Sequence, residues 1–303
     1  MRVAKIPYLN SQPFYGALDG NDAPREADLR ARGFETIEMA PAQLGDLARE
    51  GRVDAGLIPA ADYFALSART GGARYERLGD FGISVRGRVE SVLLLSEKPL
   101  AQLGGARIGV TEESATSVRL LRLLLEVAHG VTPAAYVRGA RENVDACLLI
   151  GDEALAATAA NAPAPFVYDL AEEWETWQDL PFVFAVWVAR DGVDAAETLR
   201  LAALLDASLD GGAHDERVAD AAALARTNSR AATVARPPRA HDRVVARIAE
   251  EYARGPARHR ALGDAARLAA YLGRFTYRLG PDEERALALF RRLLDEHAIS
   301  YNP

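Results

Sequence analysis

Val53-Asp54-Ala55-Gly56-Leu57-Ile58 is a buried-type strand closed by Pro59, and it returns 91 positions later as Val144-Asp145-Ala146-Cys147-Leu148-Leu149. A helical pattern follows each copy. Upstream of the first copy, Val3 to Ile6 alternates as a short strand, and Pro7 stops it because proline lacks the ladder N–H. Phe34 to Met39 alternates as a second strand. Pro41 to Glu50 reads as a helix, with Pro41 at its start and Gly51 past its end. The first hundred residues therefore read β-α-β-α-β-α, which implies a parallel sheet covered on both faces. Around the second copy lie the apolar run Arg88 to Ser96, the strand Arg107 to Val110, the helical Val118 to Ala128 and a short strand at Tyr136 to Arg138.

Two such series predict two α/β lobes built alike, with a ligand cleft between them. The expected division is lobe one over residues 1–93, lobe two over 94–185, and a return to lobe one with C-terminal helices over 186–303. The outbound crossing falls near Ser91 to Pro99, and Phe182 to Val188 is the return strand. A chain that leaves one lobe, builds the second and returns has the pattern of a type-2 periplasmic-binding-protein-like fold. From Asp194 to Ile299 the pattern is almost all helical, with a loop-like break at Asn228 to Pro238. Tyr271 to Leu294 closes it as one amphipathic helix.

Three turns could carry chemistry. Tyr8-Leu9-Asn10-Ser11-Gln12 presents an amide and a hydroxyl just past a strand's carboxyl end, where ligands sit in open α/β sheets. Pro13 is placed to start the next helix. Asn10 and Ser11 then have two readings, a helix cap or a ligand contact. Glu113-Ser114-Ala115-Thr116-Ser117 stands between a strand and a helix, where free N–H groups and the positive dipole end gather. Ser114, Thr116 and Ser117 suit a carboxylate or phosphate; a plain N-cap by Ser114 is the alternative. Gly151-Asp152 is the equivalent turn after the second copy. Asp152 is placed to cap its helix, and Gly151 lets a ligand approach the backbone. Ser91, on the expected crossing strand, either faces the cleft or is an ordinary strand serine.

Composition excludes several classes. The 303 residues, 49% hydrophobic and 26% charged, are ordinary for a globular protein and enough for two lobes. No apolar run approaches the about 18 residues of a membrane span. The N-terminus lacks a basic-then-apolar leader, so a cytoplasmic location is expected. A net charge of −7 attracts neither nucleic acid nor anionic membrane. Nor would it steer an anionic substrate, so local groups must hold one; Lys5, Arg86 and Arg88 are the candidate cations. One cysteine rules out an internal disulfide. The five histidines are scattered, with no H-x-x-x-H or H-E-x-x-H, so no metal is expected. There is no G-x-x-x-x-G-K phosphate loop and no G-x-S-x-G elbow. No cofactor is implied, and the oligomeric state stays open.

Seven stretches form a combination: Tyr8 to Ser11 (Y-L-N-S), Ser91 to Ser96 (S-V-L-L-L-S), Ser114 to Ser117 (S-A-T-S), Leu149 to Leu155 (L-I-G-D-E-A-L), Asp169 to Trp174 (D-L-A-E-E-W), Leu180 to Trp187 (L-P-F-V-F-A-V-W) and Tyr277 to Phe290. Together they resemble the chorismate dehydratase family of the futalosine route to menaquinone. Two stretches depart from that pattern, Asp19 to Arg32 and Arg230 to Asp264. The resemblance implies that chorismate loses its ring hydroxyl as water and a ring proton, giving 3-[(1-carboxyvinyl)oxy]benzoate. It implies that the substrate's own side-chain carboxylate is the base. Asn10 and Ser91 match the family's site asparagine and serine and are the candidate catalytic residues. Ser11, Ser114, Thr116, Ser117, Gly151 and Asp152 are the candidate substrate contacts. Two alternatives stay open. One is a 1,4-dihydroxy-6-naphthoate synthase-like enzyme of the same pathway, for which a cleft histidine would be needed. The other is a cytoplasmic small-anion binding protein of the same fold.

Overall fold

The computed structural model describes residues 1–16, 34–68, 71–160, 164–210 and 239–300. The Asp19–Arg32 and Asn228–Pro238 stretches lie outside them. The first sheet takes β1 (Arg2–Lys5), β2 (Glu35–Glu38), β3 (Ala55–Pro59) and β4 (Tyr75–Val85) from the front of the chain, and β10 (Phe182–Arg190) and β11 (Phe275–Arg278) from its back. Their order is β11-β4-β10-β3-β1-β2. The second sheet holds β5 (Val92–Ser96), β6 (Arg107–Val110), β7 (Ala135–Arg138), β8 (Ala146–Ile150) and β9 (Phe166–Asp169), ordered β7-β6-β8-β5-β9. Helices α1 (Pro41–Arg49), α2 (Ala60–Ser67), α6 (Ala195–Asp210), α7 (Arg239–Arg254), α8 (Ala257–Arg260), α9 (Ala265–Leu272) and α10 (Pro281–Glu296) belong to the first lobe. Helices α3 (Ala115–Arg122), α4 (Gly151–Ala159) and α5 (Leu170–Gln178) belong to the second. None of the described helices is long and apolar enough to cross a membrane.

The sequence echo is a physical repeat. In the first sheet, β3 lies between parallel β1 and antiparallel β10. In the second, β8 lies between parallel β6 and antiparallel β5. The repeated aspartate does the same work in both. Asp54 accepts the Arg2 N–H at 2.7 Å and pairs with the Arg190 guanidinium at 2.7 Å. Asp145 accepts the Arg107 N–H at 2.9 Å and pairs with the Lys98 ammonium at 2.9 Å. Each carboxylate thus ties the start of the parallel neighbour to a cation at the end of the antiparallel one, or just past it. The short β-branched and aliphatic run after it is buried on both faces, as a central strand must be.

Three expectations need correction. The parallel reading holds for β1, β2 and β3 only. β4 carries the chain out of the lobe, and β10, returning from the other side, inserts between β3 and β4 antiparallel to both. The passages between sheets fall at residues 86–91 and 179–181, so the expected division at 93 and 185 cuts through β5 and β10. The closing segment is not one helix: α9 ends at Leu272, Phe275–Arg278 is an edge strand on β4, and α10 starts only at Pro281. The alternation F-T-Y-R between Gly273 and Gly280 carries that strand, and helical spacing resumes after it.

A buried aromatic cluster fastens the return passage. The Trp174 ring from α5 packs edge-on against Phe182 at 5.2 Å and Phe290 at 6.0 Å, and its indole N–H donates to the Pro181 carbonyl at 3.1 Å.

Burial works against the ionised Asp54, but its hydrogen bonds from Arg190 and Arg2 outweigh it and hold the carboxyl below its ordinary range. Its stabilisation is therefore present above the ordinary carboxylate pKa and is lost as pH falls through the lowered folded value. Asp54→Asn keeps a backbone acceptor but loses the ion pair. It should lower stability by about 1 kcal/mol at neutral pH, with the difference from the parent vanishing in strong acid. Urea melts of both proteins at the two pH values check this.

Candidate active site

Pro7 ends β1, and the chain enters a single 3-10 helix over Leu9–Phe14. Pro13 lies inside that helix rather than at its start, and Tyr8, in the N-cap position, is extended with no side-chain cap. The capping reading of Asn10 and Ser11 therefore fails. The Ser11 hydroxyl donates instead to the carbonyls of Ile6 at 2.6 Å and Tyr8 at 2.7 Å. It fixes the turn and has no proton left for a ligand, although the residue touches the cavity. The Asn10 carboxamide has no hydrogen-bond partner among the described residues, and it faces a cavity between the lobes of about 550 Å³ including its mouth.

Ser91, Ser114, Ser117 and Gly151 line the same cavity from the second lobe side, with Tyr8 and Phe184 across from them. Ser114 is the N-cap of α3, its oxygen accepting the Ser117 N–H at 3.2 Å, and its hydroxyl also meets the Ser117 hydroxyl at 3.1 Å. Ser114 thus caps the helix and also lines the cavity. Thr116 does neither. It is buried, and its oxygen accepts the Ala61 N–H at 3.1 Å, satisfying the first turn of α2 in the opposite lobe. Asp152 is also reassigned, for it neither lines the cavity nor caps α4. Its carboxylate accepts the Leu9 N–H of the first lobe at 3.1 Å. Gly151 has φ +58°, and a Cβ there would lie 3.1 Å from the Tyr8 ring. The close approach that glycine permits is made by that ring.

The segment before Ser91 is held on every side. Glu90 sits at φ 61°, a left-handed conformation that costs an ordinary residue energy. The Asp169 carboxylate accepts the Val89 N–H at 3.0 Å and the Glu90 N–H at 2.7 Å, while its other oxygen caps α5. Arg274 pairs with the Glu90 side chain at 2.6 Å. The Ser91 carbonyl accepts the Gly151 N–H at 2.8 Å, and its hydroxyl oxygen accepts the Tyr271 O–H at 2.8 Å. Sequence reasoning missed Tyr271, which lies in a stretch with helical spacing, and gave Tyr8 no role of its own although it begins the Y-L-N-S turn.

No lysine, arginine, histidine or carboxylate is among the residues lining this cavity. The expected cations are engaged elsewhere. Arg86 pairs with Glu175 at 3.3 Å and Asp282 at 3.2 Å, Arg88 with Glu172 at 3.5 Å, and the Lys5 ammonium stands over the Tyr15 ring at 4.7 Å. What converges instead is the start of four helices. Pro41 at α1, Pro59 before α2, Ser114 before α3 and Gly151 at α4 all line the cavity. Each helix N-terminus carries about half a positive charge, so the site favours anions without a formal cation. Among the described residues the one titratable side chain in the lining is Tyr8. Burial, and then its hydrogen bond to Glu113 in the other lobe, push that phenol far above its ordinary range. Among the described residues no group of three or more His, Cys, Asp or Glu could hold a metal.

A family model described as menaquinone biosynthesis matches residues 1–296. A chorismate dehydratase of Thermus thermophilus is 39% identical over 202 residues, covering 61% of this chain and 70% of that protein. Among solved structures, protein AF1704 of Archaeoglobus fulgidus superposes with a TM-score of 0.60 at 19% identity, covering 98% of this chain and 97% of that one. The Candida albicans CA3427 product, which has the generic periplasmic-binding-protein fold, superposes at 0.53 with 11% identity over 97% and 94% of the chains. These two likenesses show the fold.

Burial raises the Asp152 carboxyl to about 6, against the opposing pull of the Leu9 N–H. The folded chain then holds a proton between about 4 and about 6 that the unfolded chain releases. Stability should fall as pH rises through that window. Asp152→Asn should flatten the slope, read as the melting temperature of parent and variant from pH 4 to 7.

Proposed function

The chain belongs to the menaquinone-biosynthesis family, and from that premise we propose that it is a chorismate dehydratase, a cytoplasmic carbon–oxygen lyase of the futalosine route. The observation that carries the reading is the lining of the inter-lobe cavity: one carboxamide, four serines and four helix N-termini, with no carboxylate or imidazole among the described lining residues to act as base. A dianion suits such a site, because fixed dipoles hold it without the desolvation cost of a buried cation. The relative of 39% identity carries the same activity in its name.

The chemistry needs little else. The ring C–H next to the enol ether breaks, its electron pair forms the new ring double bond, and the neighbouring C–O bond breaks. The departing hydroxyl takes up the proton removed from the ring and leaves as water, and the ring becomes aromatic, which drives the step. The substrate's side-chain carboxylate takes the ring proton, so the protein's part is to orient and to stabilise charge. Ser114 and Ser117, at the start of α3, hold a carboxylate. Asn10 and Ser91 reach the ring carboxylate or the departing hydroxyl from opposite lobes. Ser11, Thr116 and Asp152 set the frame around them.

Purified protein incubated with chorismate should release 3-[(1-carboxyvinyl)oxy]benzoate, seen as new aromatic proton signals. Tight binding of chorismate without any aromatic product would favour a small-anion binding protein and sink the enzymatic reading.

A further inference from the structure

Tyr271 is fully buried in α9, outside the lining of the cavity, and its phenol touches Ser91. Among the described residues Ser91 Oγ, at 2.8 Å, is the one acceptor given for that O–H. A buried phenol without an acceptor is costly, so its proton is committed to the serine oxygen. Ser91 then accepts on one side and has its own proton to place. Among the described residues its protein acceptor is the Val89 carbonyl, 3.5 Å away and too far to hold it well. The serine lines the cavity, so the remaining direction for that proton is toward a ligand oxygen.

The rest of the local structure supports this arrangement. Arg274, two residues past the end of α9, grips Glu90, and Arg267 within α9 lies 3.9 Å from the same carboxylate. Asp169 holds the amides of Val89 and Glu90. The backbone at Ser91 is thereby fixed against the helix that carries Tyr271, and the phenol and the hydroxyl meet in one geometry. Tyr271 packs edge-on against Phe275 with centroids 5.0 Å apart, so the ring position is set independently of the hydroxyl.

We propose that Tyr271 is a positioning residue that acts through Ser91. It turns the serine into a fixed hydrogen-bond donor aimed at a substrate oxygen, rather than a rotor shared with Val89. This inference rests on the chorismate reading of the same cavity. It reaches past that reading, because it assigns a donor role and a direction to Ser91 and extends the site to a residue from the far end of the chain.

The test is a double-mutant cycle of Tyr271→Phe and Ser91→Ala, assayed by chorismate turnover. Phenylalanine keeps the ring packing, so folding should survive. Tyr271→Phe alone should lower kcat by about tenfold with KM little changed, the loss expected for one hydrogen bond made effective in the transition state. In the Ser91→Ala background the same change should cost nothing further. An equal loss in both backgrounds would show that Tyr271 acts through the fold and not through Ser91, and would overturn the inference while leaving the reaction in place. Unchanged kcat in the single variant would overturn it too. A parent protein with no chorismate turnover would overturn both the reading and this inference.

Discussion

The Leu9 N–H reaches across the molecule to the Asp152 carboxylate, and the site depends on that bond. It joins a turn that begins the first lobe to a helix start in the second. Around it the lobes meet again through the Ala42 N–H on the Glu113 carbonyl at 3.1 Å, the Tyr8 phenol on the Glu113 carboxylate, and the Ala61 N–H on Thr116. The bonds from Leu9, Ala42 and Ala61 each satisfy a helix-start or turn amide that would otherwise be orphaned, and the phenol adds a side-chain tie. The polar groups left over at this junction face the cavity, and Asn10 is the principal one.

Electrostatics follow from the same geometry. The chain is acidic overall, and its arginines form ion pairs at the surface, worth little to stability and useless to a buried ligand. On the proposed reading, an anion in the cavity is met by the backbone dipoles of helix starts. In both lobes a strand ends at the cavity and a helix begins there, at β3–α2 and β8–α4, the two copies of the echo. A two-lobed repeat therefore brings helix starts face to face by construction.

That repeat was legible in the sequence because V-D-A carries a specific job, the aspartate clamp, in each lobe. Of the residues that the family-like stretches pointed to, Asn10, Ser11, Ser91, Ser114, Ser117 and Gly151 line the cavity, and Thr116 and Asp152 do not. Thr116 and Asp152 were misread because strand-end position says which residues are near the cleft but not which way they turn. Both serve amides of the opposite lobe, a partner no local pattern reveals. The antiparallel placement of β10 was hidden for a similar reason: its apolar run looks the same in either direction. Tyr271 was hidden by Y-L-G-R-F-T-Y, whose spacing reads as helix while the chain breaks at Gly273 and pairs as a strand.

On the proposed reading, Asn10 is held by the turn but works on the substrate, since its amide bonds to no described residue. Replacing it with alanine and measuring both melting and chorismate turnover on the same preparation tests this directly. The account predicts an unchanged melting temperature, with kcat and kcat/KM falling together by about a hundredfold. A lowered melting temperature with turnover per folded molecule retained would contradict it.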